Sequence, residues 1–243
     1  MSMKSIIDLI CNHRSIRSFT NQDISKEQCR QIIAAAQSAS TSSFLQCYSI
    51  IRITDSCLRS KLAILSGNQQ WIIKSPEFWV FCADFNRHLQ IAYNAKLGYI
   101  EQLIIGCIDT AMMAQNAILA AESMNLGGVF IGGIRNNIKK VVELLNIPKF
   151  VLPLFGLCLG YPKNNIPNIK PRIPQEAIVH ENCYYTTNQK VFDIYNIDIQ
   201  NYYKNRSTNK RIETWNQLIQ RLIVKEMRPF MIHYLHKQGW AIY

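Results

Sequence analysis

The stretch from Gly98 to Asn125 limits the fold more than any other part of the chain. Ile, Leu, Met and Ala fill nearly every side of a helix-length run that few charges interrupt. A helix that is apolar all round has no face to offer water, so it belongs at the centre of a core or in a subunit interface. Around it the periodicity predicts strands over Tyr48–Ile53, with Ile51 and Ile53 on one face, and buried strands over Glu77–Phe85 and Phe150–Gly160. Gly127–Gly133 reads as a short strand bracketed by glycine pairs. Ser25-Lys-Glu-Gln28 has capping-box spacing and opens a helix carrying Ile32, Ile33 and Ala34–Ala36. Asp55 caps a helix running to about Leu65, and another helix lies near Asn136–Leu145. Residues 38–43 form a small polar loop. Mixed helices and strands with few hairpin signals give an α+β or α/β class.

The first ten residues read as a short amphipathic helix; Asp8 breaks their apolar run and no small-residue cleavage site follows. No apolar run is expected to reach the length of a membrane span. Eight cysteines stand at 11, 29, 47, 57, 82, 107, 158 and 183 with no C-x-x-C pair, which argues for reduced thiols in a cytoplasmic protein and against zinc. His233 and His236 have no supporting Cys or carboxylate motif, so no metal site is expected. After Pro162 the chain becomes rich in Pro, Asn and Lys, then in Tyr and basic residues. Residues 1–162 carry 15 basic and 10 acidic side chains, net +5; residues 163–243 carry 12 and 6, net +6 in half the length. The division is therefore a core over 1–162 and a C-terminal extension over 163–243, wrapped on the core or a partner subunit, within a single domain overall. A positive surface attracts nucleic acid, anionic membrane or anionic small molecules, and the sum does not choose among them.

Four features are able to carry chemistry. In His13-Arg14-Ser15-Ile16-Arg17, two arginines three apart with a hydroxyl between them suit one phosphate; a helix C-terminus with cations on its dipole is the plainer explanation. Gly127–Gly133 holds four of the ten glycines, which permits close backbone approach to a flat ligand, or simply a strand with tight turns. Its spacing fits neither G-x-G-x-x-G nor a P-loop. Lys170-Pro171-Arg172 is extended by the proline, placing two cations on one side for a phosphate or for solvent. Lys204–Arg211 mixes four cations with small polar donors, as a phosphate-reading loop or a solvated surface segment would. Several phosphate-friendly cations with no acid–base set describe an enzyme whose cofactor does the chemistry.

Taken together, His13–Arg17, Ser42–Cys47, Phe78–His88, Asp109–Asn116, Gly127–Arg135, Leu152–Gly160, Lys170–Arg172 and Arg228–Phe230 resemble the nitroreductase family of flavin enzymes. Within it they are similar to the oxygen-insensitive NADPH nitroreductases and their NADPH–flavin oxidoreductase relatives. The resemblance covers essentially the whole chain. It implies an α+β fold with a central, mostly antiparallel sheet flanked by helices, and a homodimer with bound FMN. It implies that His13, Arg14, Ser15 and Arg17 hold the flavin phosphate and ribityl end. Thr41, Gln69, Ile131, Gly132 and Gly133 would line the ring and its tail, and Lys170 and Arg172 would add cationic contacts. By the same likeness, Arg206 and Arg211 would meet the 2′-phosphate of NADPH, while Ser43, Arg228 and Phe230 lie near the substrate face. The implied reaction is a ping-pong, two-electron reduction of nitroaromatics or quinones, the flavin itself carrying the chemistry. A flavin reductase serving a partner shares every one of these motifs. A basic nucleic-acid binder, hinted at by Tyr202, Tyr203, Lys204 and Arg206, would require exposed stacking aromatics; neither nucleic acid nor membrane is the expected partner.

Overall fold

A computed structural model describes residues 5–163, 167–206 and 209–243. Residues 1–4 of the expected N-terminal helix, and Ser207 and Thr208 of the 204–211 segment, lie outside the described residues. Two compact units are present. Within the described residues the first takes in 5–11, 15–163 and 228–243, and the second takes in 12–14, 167–206 and 209–227.

The first unit is built on a four-stranded antiparallel sheet: β1 (Tyr48–Arg52), β2 (Glu77–Asp84), β3 (Gly127–Ile131) and β4 (Val151–Gly160), in the order β1-β2-β4-β3. Every residue of β2 is buried, because helices cover both faces of the sheet. On one side Phe78, Val80 and Cys82 join a core with Leu62, Ala63, Ile72, Ile138 and Val141. Those partners come from α3 (Ser56–Leu65), α4 (Trp71–Lys74) and α7 (Ile138–Leu144). Trp240, following α10 (Met231–Lys237), closes this core edge-on to Phe85 and Phe150. On the other side Trp79 and Phe81 pack with Ile32 and Ala36 of α2 (Lys26–Gln37) and with Met113, Ala117 and Ile118 of α6 (Ile100–Ser123). The remaining helices of this unit are α1 (Ile6–Cys11) and α5 (Asn86–Ile91).

The capping signals act as their spacing predicts. Ser25 accepts from the Gln28 N–H while Gln28 accepts from the Ser25 N–H, and Asp55 accepts from Leu58 N–H at 2.7 Å. The long apolar helix is α6. By length and composition it is able to span a membrane, which corrects the expectation that no run reaches that size. Its middle nevertheless carries Asp109 and Thr110, 1% and 0% exposed and both hydrogen-bonded inside the protein, as in a core helix. Ile100, Ile104, Ile108 and Met112, four apart, form an exposed stripe on it.

The glycine-rich segment divides where a single strand was expected. The strand stops at Ile131, and Gly132–Arg135 forms a 3-10 turn. A Cβ on Gly127 would stand 2.5 Å from Ile16 Cγ1, so the first glycine pair admits a neighbouring chain segment. The pairing of β2 with β4 slips between Phe81 and Cys82: Phe81 faces Phe155 and Cys82 faces Pro153, leaving Leu154 as an extra residue. This bulge explains how a central strand tolerates proline. It also leaves the Leu154 carbonyl to accept from the Arg135 guanidinium.

The second unit contains α8 (Gln189–Lys204) and α9 (Trp215–Ile223), with a core of Tyr195, Ile199 and Tyr203 packed against Ile173 and Trp215. All eight cysteines are free thiols.

Candidate functional site

The segment His13–Arg17 lies beyond α1, which ends at Cys11 with no basic residue in its last turn. The helix-dipole explanation for its cations therefore does not apply. Ile16 is 5% exposed and donates its N–H to Gly128 O at 2.8 Å, anchoring the segment along β3. Ser15 is half-buried and Arg17 exposed on either side of that anchor. His13 and Arg14 fall in the second unit, where Arg14 Nη1 donates to Pro167 O at 3.5 Å.

The loop after α2 holds Thr41 and Ser43. It is under backbone strain: Ser43, Phe44 and Gln46 have φ of 48°, 58° and 53°, a left-handed conformation that costs non-glycine residues energy and clusters at functional sites. Asp109 of α6 holds this loop from below. Its Oδ1 accepts the Ser42 N–H at 3.1 Å, and its Oδ2 lies 3.2 Å from the Cys47 sulfur, which donates. Burial, then the Asp109 hydrogen bond and charge, push the Cys47 thiol up to about 12, so it stays protonated and keeps donating. The Thr41 Oγ1 is buried and has no hydrogen-bond partner among the described residues. A buried hydroxyl without a partner costs free energy unless something satisfies it.

Gln69 and the Ile131–Gly133 stretch lie on adjacent turns. A Cβ on Gly133 would overlap the Ser66 carbonyl oxygen, and one on Gly67 would stand 3.2 Å from Asn136 Nδ2. Only glycine at 133 lets the two backbones approach so closely. Arg228, itself at φ 55°, donates to Gly132 O at 3.3 Å and to Asn136 Oδ1 at 2.7 Å. Arg135 is close by: burial, and then the charge of Arg228, hold its pKa below the usual guanidinium value. Gly132, Gly133 and Arg228 are thus brought together beside Arg135, with the turn at Ser66 packed against Gly133. Phe230 is exposed at the start of α10.

In the second unit, Lys170 and Arg172 lie on an extended strap that faces α8. Lys170 Nζ sits 5.2 Å from the centre of the Tyr203 ring, and Arg172 acts electrostatically on Tyr195. Arg211 lies 3.8 Å over the same Tyr203 ring, and Arg206 lies 5.9 Å from it. The structure therefore brings Lys170, Arg206 and Arg211 together on one tyrosine. Tyr203 is 2% exposed, which removes it as the free stacking aromatic that a nucleic-acid surface requires.

Three residues of these sites were given no part in a ligand site by sequence reasoning, Tyr203 having entered only as a hint of nucleic-acid binding. Asp109 had a signal, being a carboxylate in mid-helix among apolar neighbours. Tyr203 had one too, since Tyr195, Ile199 and Tyr203 recur every four residues. Arg135 gave none, because its role follows from a bulge in another strand.

Comparison with known proteins identifies the family. The model of the nitroreductase family matches residues 10–161, and that of the nitroreductase family C-terminal domain matches residues 170–243. The chain is 57% identical over 239 residues to an oxygen-insensitive NADPH nitroreductase of Salmonella typhimurium, covering 98% of this chain and 99% of that protein. It is 44% identical to an NADPH-flavin oxidoreductase of Vibrio harveyi, with the same coverage. Among solved structures, nitroreductase A from Vibrio parahaemolyticus superposes with a TM-score of 0.93 at 45% identity, covering 99% of this chain and 100% of that one.

Proposed function

The chain belongs to the nitroreductase family, and on that premise we propose that it is an NADPH-dependent flavin oxidoreductase of the oxygen-insensitive nitroreductase type, with FMN as its flavin. The structural observation that supports this reading is the Thr41 hydroxyl, buried on a strained loop and without a hydrogen-bond partner among the described residues, which a bound ligand would satisfy. The other residues suit the same group. The Gly132-Gly133 turn offers bare backbone, and by the family likeness Ser15, Arg17, His13, Arg14, Lys170 and Arg172 would be donors to the flavin's phosphate end.

When bound, the flavin supplies hydride acceptance and release, which no side chain here provides. The chain's own part is to bind, orient and tune. Thr41 donates to the ligand, Gln69 and Ile131–Gly133 border its plane, and the charges of Arg135 and Arg228 favour negative charge developing near Gly132. Arg206 and Arg211 select NADPH through its 2′-phosphate. Ser43, Arg228 and Phe230 border the face where donor and acceptor alternate, so turnover is ping-pong. The acceptor is a nitroaromatic or a quinone, and its protons come from water. The exposed stripe Ile100, Ile104, Ile108 and Met112 supports a homodimer; the chain is read as a 1–162 flavin-binding core with a 163–243 extension, whose last residues, 228–243, belong to the same compact unit as the core.

An absorbance spectrum of the purified protein tests this directly. Flavin bands that bleach on anaerobic NADPH addition and return with a nitroaromatic are expected; a colourless protein that takes up no added FMN overturns the reading. A relative from Bacillus subtilis, 41% identical, is named FMN reductase (NADPH), which favours a second reading in which free FMN is the acceptor. Comparing rates with free FMN and with nitrofurazone separates the two.

A further inference from the structure

Tyr203 has a conspicuous environment. It is 2% exposed on the inner face of α8, yet three cations converge on it: Arg211 at 3.8 Å, Lys170 at 5.2 Å and Arg206 at 5.9 Å from the ring centre. Burial alone would push its phenol up. The hydrogen bonds and charges of Lys170 and Arg211 outweigh that and hold it below the ordinary tyrosine value. A carboxylate accounts for only part of the gathering. Glu213 meets Arg211 at 3.2 Å but is shared with Arg221 at 2.9 Å.

A guanidinium over an aromatic face is held in part through its π surface, so only some of its in-plane N–H groups are used, here by Glu213 and the Tyr203 hydroxyl, and the others remain for a further acceptor. A carboxylate gripping the arginine in bidentate fashion would consume more of those donors. An aromatic platform is therefore the arrangement that fixes arginines while keeping them able to grip a phosphate, and the surplus of positive charge fits a dianion.

We propose that Tyr203 is a positioning residue for the electron donor, its ring acting as the platform that presents Arg206 and Arg211 to the 2′-phosphate of NADPH. The proposal rests on the NADPH-dependent reading above and adds to it the means by which the arginines are held. The effect is assigned to the ring face; the hydroxyl adds the hydrogen bonds it accepts from Lys170 and Arg211, and the Tyr202 ring, 5.7 Å from Arg206, borders the same platform.

The test uses the flavin-loaded protein and calorimetric titration with 2′,5′-ADP, which carries the 2′-phosphate without the nicotinamide; 3′,5′-ADP serves as the control. Tyr203→Phe keeps the face and is expected to bind 2′,5′-ADP within about threefold of wild type. Pentafluorophenylalanine at 203 keeps the shape but reverses the charge of the face, and is expected to weaken 2′,5′-ADP by about 5- to 30-fold. Binding of 3′,5′-ADP should not change. A fluorinated protein that binds 2′,5′-ADP as tightly as Tyr203→Phe does would overturn the platform role. Because a purely structural tyrosine tolerates an isosteric ring, folding and binding are separated by this pair. Should wild type itself fail to prefer 2′,5′-ADP over 3′,5′-ADP, the assignment of Arg206 and Arg211 to the 2′-phosphate fails first, and this proposal with it. Preference in wild type without sensitivity to fluorination removes the platform alone.

Discussion

Asp109 and Cys47 meet across the seam between the central helix and the strained loop, with the carboxylate Oδ2 3.2 Å from the sulfur and Oδ1 3.1 Å from the Ser42 amide. One buried carboxylate thus ties both ends of the turn that carries Ser43. Asp109→Ala leaves the Ser42 N–H and the thiol without their acceptor and should cost about 1–3 kcal/mol in urea unfolding. Asp109→Asn retains an acceptor and should cost less. Equal losses in the two variants would show that one amide oxygen recovers nothing and that both carboxylate oxygens are needed, because Asn keeps the volume of Asp.

Gly133 cannot accept a side chain without displacing the Ser66 backbone, whereas a Cβ on Gly132 would meet only the Arg135 side chain, at 3.5 Å. Gly133→Ala should lower stability by about 1–3 kcal/mol and reduce flavin content, with Gly132→Ala near wild type in stability. Thermal melts of the two variants side by side check this; identical melting points would contradict it.

Thiol reactivity should follow burial. Cys11, Cys57 and Cys183 are exposed, while Cys29, Cys47, Cys82 and Cys158 are buried, and burial pushes Cys29 up to about 11 and Cys158 to about 12. An aromatic disulfide reagent should titrate these three exposed thiols quickly in the native protein and all eight in urea. Rapid reaction of a fourth or fifth thiol would indicate that the core opens.

Glu77, 8% exposed, accepts from Arg52 at 2.6 Å and from the Trp79 indole at 2.6 Å. Burial raises its pKa, but the hydrogen bonds of Arg52 and Trp79 and the charges of Arg52 and Arg59 carry it below the usual carboxylate value. A carboxyl depressed in the folded state contributes stability that is present above its unfolded pKa of about 4.3 and is lost as pH falls through the lower folded value. Because Arg52 is partly exposed, solvent trims the effect. Glu77→Gln should flatten the acid limb of a stability–pH curve; an unchanged limb assigns the acid sensitivity elsewhere.

Arg206→Ala should raise the NADPH KM about tenfold or more, since a charge-assisted hydrogen bond is worth about 1.5–3 kcal/mol. Flavin content should stay as in wild type, and the preference for NADPH over NADH should shrink. Steady-state kinetics with both donors decide it; an unchanged KM would remove Arg206 from donor recognition.

Much of the fold was legible because local chemistry writes itself into short windows. The capping box at Ser25 and Gln28, the cap at Asp55 and the buried runs of β2 and β4 depend on residues within a turn or a strand of one another. Helices α8, α9 and α10 were not foreseen. The Asn, Tyr and Asp residues of α8 are poor helix formers, and tertiary burial of Tyr195, Ile199 and Tyr203 makes it a helix, whereas α9 carries a local signal, the Thr214–Gln217 capping box, that went unread. The candidate site divides in the same way. His13–Arg17 and the Gly132-Gly133 pair show themselves as residue types suited to a phosphate and a flat ring.

Sequence alone therefore determined the class of fold, the central helix and the kinds of groups available, because periodicity and composition are local properties. Only the tertiary structure decided which of those groups meet. A bulge opposite Pro153 gives Arg135 its acceptor at Leu154, a mid-helix Asp109 fixes a loop more than sixty residues earlier in the chain, and one buried tyrosine gathers cations from three places. Each depends on strand register or on packing between elements distant in sequence, and neither is encoded in any single window of the chain.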